Sequence, residues 1–235
     1  MKKSFTMLEL VMVIVVIGIL AAVIIPRTGS NKLAEAATQV VADIRYTQHL
    51  AMIDDKFNPN LAYWYRQRWQ IAFSTAHSTR SYSIFSDSPS LTTGAYDGNP
   101  SANITYSKVE VARNPLDNYK YMIGVANSNF DNSSTQRITP RLDIGKVYGV
   151  VDVKMSNGTS STVKRILFDH FGRPYRGTGS STATHPLNSS VDKVTKSTIL
   201  IKLCIKACIG NNRTINSDTE IMIAVEPETG YTHIL

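Results

Sequence analysis

The sequence predicts an α+β fold in which one long N-terminal helix packs on a head built from an antiparallel β-sheet. Three patterns lead to this expectation: an apolar run over 5–25, apolar residues three or four apart over 33–51, and alternation of apolar and polar residues after Asp54. The 235 residues leave room for one ordinary domain plus an extended element. We therefore expect the helix to continue to about residue 54 and the head to occupy 55–235.

The apolar run over 5–25 is interrupted only by one threonine, one glutamate and one glycine. At about 1.5 Å per residue, a helix of this run covers roughly 30 Å, the thickness of the hydrocarbon core of a bilayer. Lys2 and Lys3 precede the run, and positive charge is retained on the cytoplasmic side. The sequence thus predicts a transmembrane half of the helix at 5–25, with a cytoplasmic N-terminus, in the inner membrane of the cell. The head would lie on the periplasmic or extracytoplasmic side.

Glu9 is the single acidic residue of the run. A carboxylate inside an apolar helix costs several kcal/mol unless it finds a partner, so an acid in this position is a functional hypothesis. The structural alternative is that Glu9 lies near the membrane interface and extends its carboxylate into water.

The N-terminal segment KKSFTMLELVMVIVVIGILAAVIIPR resembles the class III signal of type IV pilins and type II secretion pseudopilins. In that family, the prepilin peptidase cuts before the aromatic residue and methylates the new N-terminus. The resemblance implies a leader at 1–4, cleavage between Ser4 and Phe5, and N-methylation of Phe5. The family usually has glycine before the cut, where this chain has Ser4. Pro26 corresponds to a proline that many pilins carry after the apolar run.

The family role gives Glu9 a partner, because cleavage leaves a positive amine on Phe5. Glu9 of an incoming subunit could pair with the Phe5 amine of its neighbour, and such a pair would favour one axial register. The resemblance implies several partners: other pilin or pseudopilin subunits, the prepilin peptidase and methyltransferase, an inner-membrane assembly platform, and membrane lipid before assembly.

Residues 26–54 are expected to form a periplasmic helical stem. Pro26 lacks an amide donor and should kink the helix. Beyond it, small and apolar residues recur at helical spacing and should pack on the sheet of the head. These residues are Leu33, Ala37, Val40, Ile44, Thr47 and Ala51.

In the head, alternating segments predict strands and segments rich in Gly, Ser, Asn and Pro predict long loops. Strands are expected at 69–73, 82–85, 147–155, 163–168, 198–208, 220–225 and 231–235. Long loops are expected at 86–102, 127–140 and 175–190.

Several head segments resemble the GspH/FimT-like minor pseudopilins. VVADIRYTQHLAMIDD resembles their stem-to-head segment, in which Asp43, Arg45 and Ala51 occupy the positions of a common Asp, Arg and Ala pattern. RWQIAF and YSIF resemble their first hairpin, and ILFDHFGRPY resembles a later strand and turn. The resemblance implies a minor subunit of a type II secretion pseudopilus or of a type IV pilus.

The formal charge of +7, from 25 basic and 18 acidic residues, raises the question of nucleic acid. Arg66 and Arg68 flank aromatic residues in YWYRQRW, which could form a cationic stacking patch. Some pilin-like proteins bind DNA during natural transformation, so a DNA-binding subunit of a competence filament is the alternative function. The structural alternative places both arginines on the outer face of an edge strand.

The two cysteines, Cys204 and Cys208, are too few for a disulfide framework or a four-ligand zinc site. On one flat strand their Cα atoms would lie about 13 Å apart, beyond disulfide reach. A turn at 210–212 would let the strand bend before Cys208. A disulfide and a pair of buried free thiols both remain open.

We expect no enzyme, no catalytic residue, no cofactor and no metal site, because no histidine, nucleophile or glycine-rich pattern has the required spacing. The main hypothesis is a minor pilin-like structural subunit. The others are the DNA-binding subunit and a single-pass membrane protein with a β-rich exported head and no filament role.

Overall fold

The structure is a computed structural model that describes most of the chain. The chain forms two compact units, Met1–Lys32 and Leu33–Leu235. The described residues are 6–24, 32–61, 63–74, 80–91, 94–102, 109–126, 137–156, 163–177, 194–209 and 218–235.

The N-terminal helix is not one continuous element. Helix α1 spans Met7–Ile24 and helix α2 spans Lys32–Ile53. The predicted fold class, with one long stem helix from residue 5 to about residue 54, is therefore wrong. The sequence between the two helices contains Pro26 and Gly29, and proline and glycine are the two residues least compatible with a helix interior.

The predicted membrane location is also corrected. Within the described part of the chain, no helix combines the length and the apolar composition that crossing a membrane requires. Helix α1 comprises 18 residues, about 27 Å at 1.5 Å per residue, whereas the prediction assumed a longer helical run over 5–25. The transmembrane assignment of 5–25, and with it the single-pass inner-membrane location with an exported head, is wrong.

Among the described residues, the second unit contains two four-stranded sheets, in which every neighbouring pair of strands is antiparallel. The first sheet has the order β2-β1-β6-β7. Its strands are β1 (Trp69–Ser74), β2 (Ser81–Ser86), β6 (Val163–Phe168) and β7 (Pro174–Gly177). Ile71 faces both Ile84 and Ile166 across the sheet, so branched apolar side chains share one face.

The second sheet has the order β10-β9-β8-β5. Its strands are β5 (Asp152–Met155), β8 (Ile199–Cys204), β9 (Glu220–Val225) and β10 (Thr232–Ile234). A small hairpin joins β3 (Arg113–Asn114) and β4 (Asp117–Tyr121). The described part of this unit also contains 3-10 turns at Trp64–Gln67 and Pro140–Leu142 and a short helix α3 at Ile144–Tyr148.

Helix α2 contributes one face to the hydrophobic core. Ala36, Ala37, Val40 and Ile44 are fully buried and belong to the same core cluster as the inner residues of both sheets. The packing stripe predicted from the spacing of small and apolar residues is confirmed, with Leu33 only partly buried at its N-terminal end. Small side chains on this stripe allow the helix to approach the strands closely.

Three of the predicted strands are shorter than expected, and the one predicted over 231–235 spans only Thr232–Ile234. The segment predicted as a strand from residue 147 begins only at Asp152, because 144–148 forms α3. Asp143 caps this helix by accepting a hydrogen bond from the Lys146 amide at 3.0 Å, and Gly149 ends it in a left-handed conformation. The strand predicted over 198–208 ends at Cys204.

Candidate functional site

Helix α1 exposes apolar side chains around its whole circumference. The large apolar residues between Met7 and Leu20 are all exposed, from 47% for Val13 to 87% for Met7. A helix that is apolar on every side is normally covered by other protein or by lipid, because it has no polar face for water. An exposed apolar surface of this extent marks an interaction site.

Glu9 and Thr6 form a capping box at the start of α1. The Thr6 amide and hydroxyl donate to Glu9 Oε2 at 3.0 and 2.9 Å, and the Glu9 amide donates to Thr6 Oγ1 at 3.4 Å. This reciprocal pattern satisfies helix N-terminal amides that have no partner within the helix. The sequence interpretation missed the role of Thr6, although the spacing of Thr6 and Glu9 is a known capping-box signature.

Three residues singled out from the sequence lie outside the described residues: Ser4, Phe5 and Pro26. Cleavage between Ser4 and Phe5, methylation of Phe5 and a kink at Pro26 therefore stay predictions.

The segment that resembles the minor pseudopilin stem joins α2 to the rest of its unit. Asp43 is buried and accepts hydrogen bonds from Tyr82 Oη and Gln39 Nε2, both at 2.6 Å. Arg141 Nη1 donates to Asp43 Oδ2 at 3.1 Å. Arg45 Nη2 donates to the Thr232 carbonyl at 2.7 Å. These contacts fix the orientation of α2 against strand β2, the turn at Pro140–Leu142 and the C-terminal strand.

Arg66 and Arg68 lie in and directly after the 3-10 turn at Trp64–Gln67, so their expected alternative placement on an edge strand is wrong. The Arg66 guanidinium lies over the Tyr63 ring, 4.8 Å from its centroid. The Arg68 guanidinium lies over the Tyr175 ring at 4.1 Å.

These cation–π contacts are internal to the chain. They place guanidinium groups on ring faces that a nucleic-acid base would need for stacking. The DNA contact of Arg66 and Arg68 stays a prediction, and the observed stacking does not favour it.

Cys204 and Cys208, the two cysteines of the chain, are joined in a disulfide. Strand β8 ends at Cys204, and the bend that follows brings the two Cα atoms to 5.6 Å. Lys154 Nζ donates to the Cys208 carbonyl at 2.8 Å, and the Cys208 amide donates to Asp152 Oδ2 at 3.3 Å. The disulfide loop is thus attached to the edge strand β5 through the backbone carbonyl and the backbone amide of Cys208.

A buried ion pair binds the backbone of Ile209, the residue that follows Cys208. Lys202 Nζ and Glu220 Oε2 lie 3.2 Å apart, and both side chains are almost completely buried. Glu220 Oε1 accepts from the Ile209 amide at 3.0 Å, and Lys202 Nζ donates to the Ile209 carbonyl at 3.3 Å. Removing one partner of such a pair leaves a buried charge, so we regard the pair as structural.

Within the described ranges, one group of three residues has the mutual spacing of metal ligands: Cys204, Cys208 and Glu220. The two sulfur atoms are bonded to each other and the Glu220 carboxylate faces Lys202. Because thiolates are the species that bind metal, this group cannot act as a metal site in the oxidised protein.

Replacing both cysteines with alanine is expected to lower the free energy of unfolding by roughly 2 kcal/mol, the chain-entropy value for a loop of this size. Urea unfolding of the oxidised protein and the double variant would measure the difference. Lys154→Met is the matched control, because it removes one hydrogen bond to the loop and keeps the disulfide. Equal midpoints for the oxidised protein and the double variant would show that the bond adds no stability.

Comparison of the chain with protein-family models, with curated proteins and with solved structures finds no match.

Proposed function

We propose that the chain is a structural subunit of a filament of the type IV pilin or type II secretion pseudopilin kind. In this proposal, α1 packs against the α1 helices of neighbouring pilin-like subunits. The observation that carries the proposal is the exposure of apolar side chains on every side of α1.

The energetics of association support a helical bundle as the cover for α1. Full burial of one large aliphatic side chain contributes about 1.5–3 kcal/mol. Association of two proteins costs on the order of 4–15 kcal/mol in lost freedom. The large apolar residues of α1 are numerous enough for partial burial on several neighbours to exceed that cost.

Glu9 gives the bundle a preferred register. Its carboxylate is exposed at the first turn of α1 and accepts hydrogen bonds from Thr6. Among the described residues, no basic side chain forms an ion pair with it. Removal of residues 1–4 would create an amine on Phe5, and this amine of a neighbouring subunit would match the Glu9 charge. A charged pair inside an apolar bundle is best suited to fixing register, since a misaligned helix leaves the charge without a partner.

The capping box allows the charge of Glu9 to be tested separately from its role at the helix N-terminus. Glu9→Gln keeps a side chain that can complete the capping box but removes the charge. Thr6→Ala removes the cap, at a cost of about 1 kcal/mol, but keeps the charge. We expect Glu9→Gln to lose nearly all incorporation into filaments and Thr6→Ala to retain most of it.

The measurement uses bacteria that supply a prepilin peptidase and pilus machinery and that express the full-length chain. A single cysteine introduced at Val16 would report helix–helix contact by cross-linking, because the native cysteines are bonded to each other. Mass spectrometry of the same material should find methylated Phe5 as the first residue. Normal cross-linking by Glu9→Gln would contradict the register argument, and an intact Met1 in assembled material would contradict processing.

A further inference from the structure

Two buried carboxyl groups, Asp87 and Glu110, lie where the chain leaves strand β2. Each residue is only 4% exposed. The main chain of Glu110 is held on both sides, because its carbonyl accepts from the Ser86 amide and its amide donates to the Ser101 carbonyl, both at 3.0 Å. Glu110 is therefore a fixed point beside the segment that follows β2.

Each carboxyl group uses one oxygen to hold that segment. Glu110 Oε1 accepts from the Ser88 amide at 2.9 Å and from the Ser88 hydroxyl at 2.7 Å. Asp87 Oδ2 accepts from the Gly98 amide at 3.0 Å. The two acids thereby hold Ser88 and Gly98, and we call the described residues 88–91 and 94–98 the latch segment.

The second oxygen of each group is buried without a hydrogen-bond partner among the described residues: Asp87 Oδ1 and Glu110 Oε2. An ionised carboxylate with an unpaired oxygen in a buried place is costly, whereas a protonated carboxyl group carries no charge. The geometry thus favours the neutral form of both side chains.

Burial and the neighbouring acids also favour the neutral form of both side chains. The pKa of Asp87 is raised to about 7, chiefly by burial and then by the negative charge of Asp97, while the Gly98 amide and Arg165 oppose the change. Burial raises the pKa of Glu110 to about 8, against the two hydrogen bonds from Ser88 and with added repulsion from Asp87 and Asp97.

Arg165, on strand β6 of the same sheet as β2, is a cation that lies beside this region. Its Nη2 donates to the Gly98 carbonyl at 2.8 Å and its Nη1 donates to Gln70 Oε1 at 2.9 Å. The Arg165 charge lowers the pKa of Asp87, whereas the Asp97 charge raises the pKa of both buried acids. Ionisation of Asp87 and Glu110 would add two negative charges that repel each other and Asp97.

We propose that Asp87 and Glu110 form a proton-operated latch, which keeps the latch segment closed while both side chains are neutral and loosens it when both ionise. This inference concerns the second unit of the chain and does not rest on the proposed filament function.

The direction of the pH dependence follows from the raised pKa of both groups. The closed form binds more protons than an open form whose carboxyl groups have ordinary values near 4. Closure is therefore strongest below pH 4 and weakens as pH rises through about 7 and about 8. Above that range no further change is expected from these two groups.

Hydrogen exchange of the full-length protein tests the latch directly, because the Ser88 and Gly98 amides donate to the two carboxyl groups. Between pH 6 and pH 9, after correction for intrinsic exchange, we expect the opening equilibrium of the latch segment to increase by tenfold or more, an order-of-magnitude value from linkage. Amides of strand β9 serve as the internal reference. EDTA should be present throughout so that no divalent cation replaces the protons.

Two variants separate the latch from general loosening. Asp87→Asn with Glu110→Gln keeps the acceptor oxygens but cannot ionise, so protection of the latch segment should become independent of pH. Asp97→Asn changes an exposed side chain and should move the midpoint of release to lower pH. The proposal is overturned if the unmodified protein shows constant protection from pH 6 to pH 9. An unaltered pH dependence in either variant would also overturn it.

Discussion

Gly230→Ala is expected to lower the free energy of unfolding by about 4 kcal/mol, because a methyl group there meets backbone as well as side-chain atoms. Gly230 has a φ of +66°, in the left-handed region that side chains disfavour. A Cβ would lie 2.5 Å from the Gly172 carbonyl oxygen and 2.6 Å from Gln48 Nε2. Gln48 Nε2 donates to the Gly172 and Thr229 carbonyls at 2.9 and 2.8 Å, so the added methyl would separate α2 from two turns at once.

Gly149→Ala is the matched control for this prediction. Gly149 has a φ of +76° but no atom within 4 Å of the added Cβ, so only the backbone penalty of roughly 1–2 kcal/mol is expected. Urea unfolding of both variants in the full-length chain, compared at constant slope, measures the difference. Equal losses for the two variants would mean that the turn containing Gly230 relaxes, and that Gln48 does not hold it.

The helices show what hydrophobic spacing can and cannot predict. The stripe on α2 was predictable because Ala37, Val40 and Ile44 recur at helical spacing and each is buried against the sheets. The continuity of the helix was not predictable in the same way. An apolar run and an amphipathic run can each be helical, yet the sequence does not show whether 25–31 joins them into one rod, and the two helices end and begin at Ile24 and Lys32.

Strand boundaries depended on local chemistry that alternation does not detect. Alternation predicted a strand from residue 147, but the Asp143 cap and the left-handed Gly149 stabilise a helical turn first. In contrast, Val163–Phe168 and Glu220–Val225 were predicted with the bounds that the structure gives them. Both are flanked by turn residues, so their ends were marked in the sequence.

Long-range polar partners were the part of the candidate sites that the sequence could not supply. Asp87 and Glu110 are separated by more than twenty residues, and no motif connects them. Their proximity comes from the pairing of Phe85 with Val111 beside β2. In contrast, the contact between Thr6 and Glu9 was predictable from the sequence, because the two residues are only three positions apart.

Asp43→Ala is expected to destabilise the chain by about 3 kcal/mol, because it removes the shared acceptor of three donors. Tyr82 is 1% exposed and donates its hydroxyl hydrogen to Asp43 Oδ2 at 2.6 Å, so it cannot turn to water when the carboxylate is lost. Arg141 has a side chain that is 25% exposed, and it can recover part of its hydration. The loss should therefore fall at the lower end of the range for breaking a buried ion pair.

Three variants distinguish the contributions to this network. Asp43→Asn keeps an acceptor for Tyr82 but removes the charge, so its loss should be about half that of Asp43→Ala. Tyr82→Phe removes one donor and should cost about 1–2 kcal/mol, and the double variant with Asp43→Ala should cost less than the sum, since the two residues share one contact. Additive losses in urea unfolding would show that Asp43 and Tyr82 act independently. That result would leave Arg141 as the main partner of Asp43, and α2 would then be fixed by its ion pair rather than by strand β2.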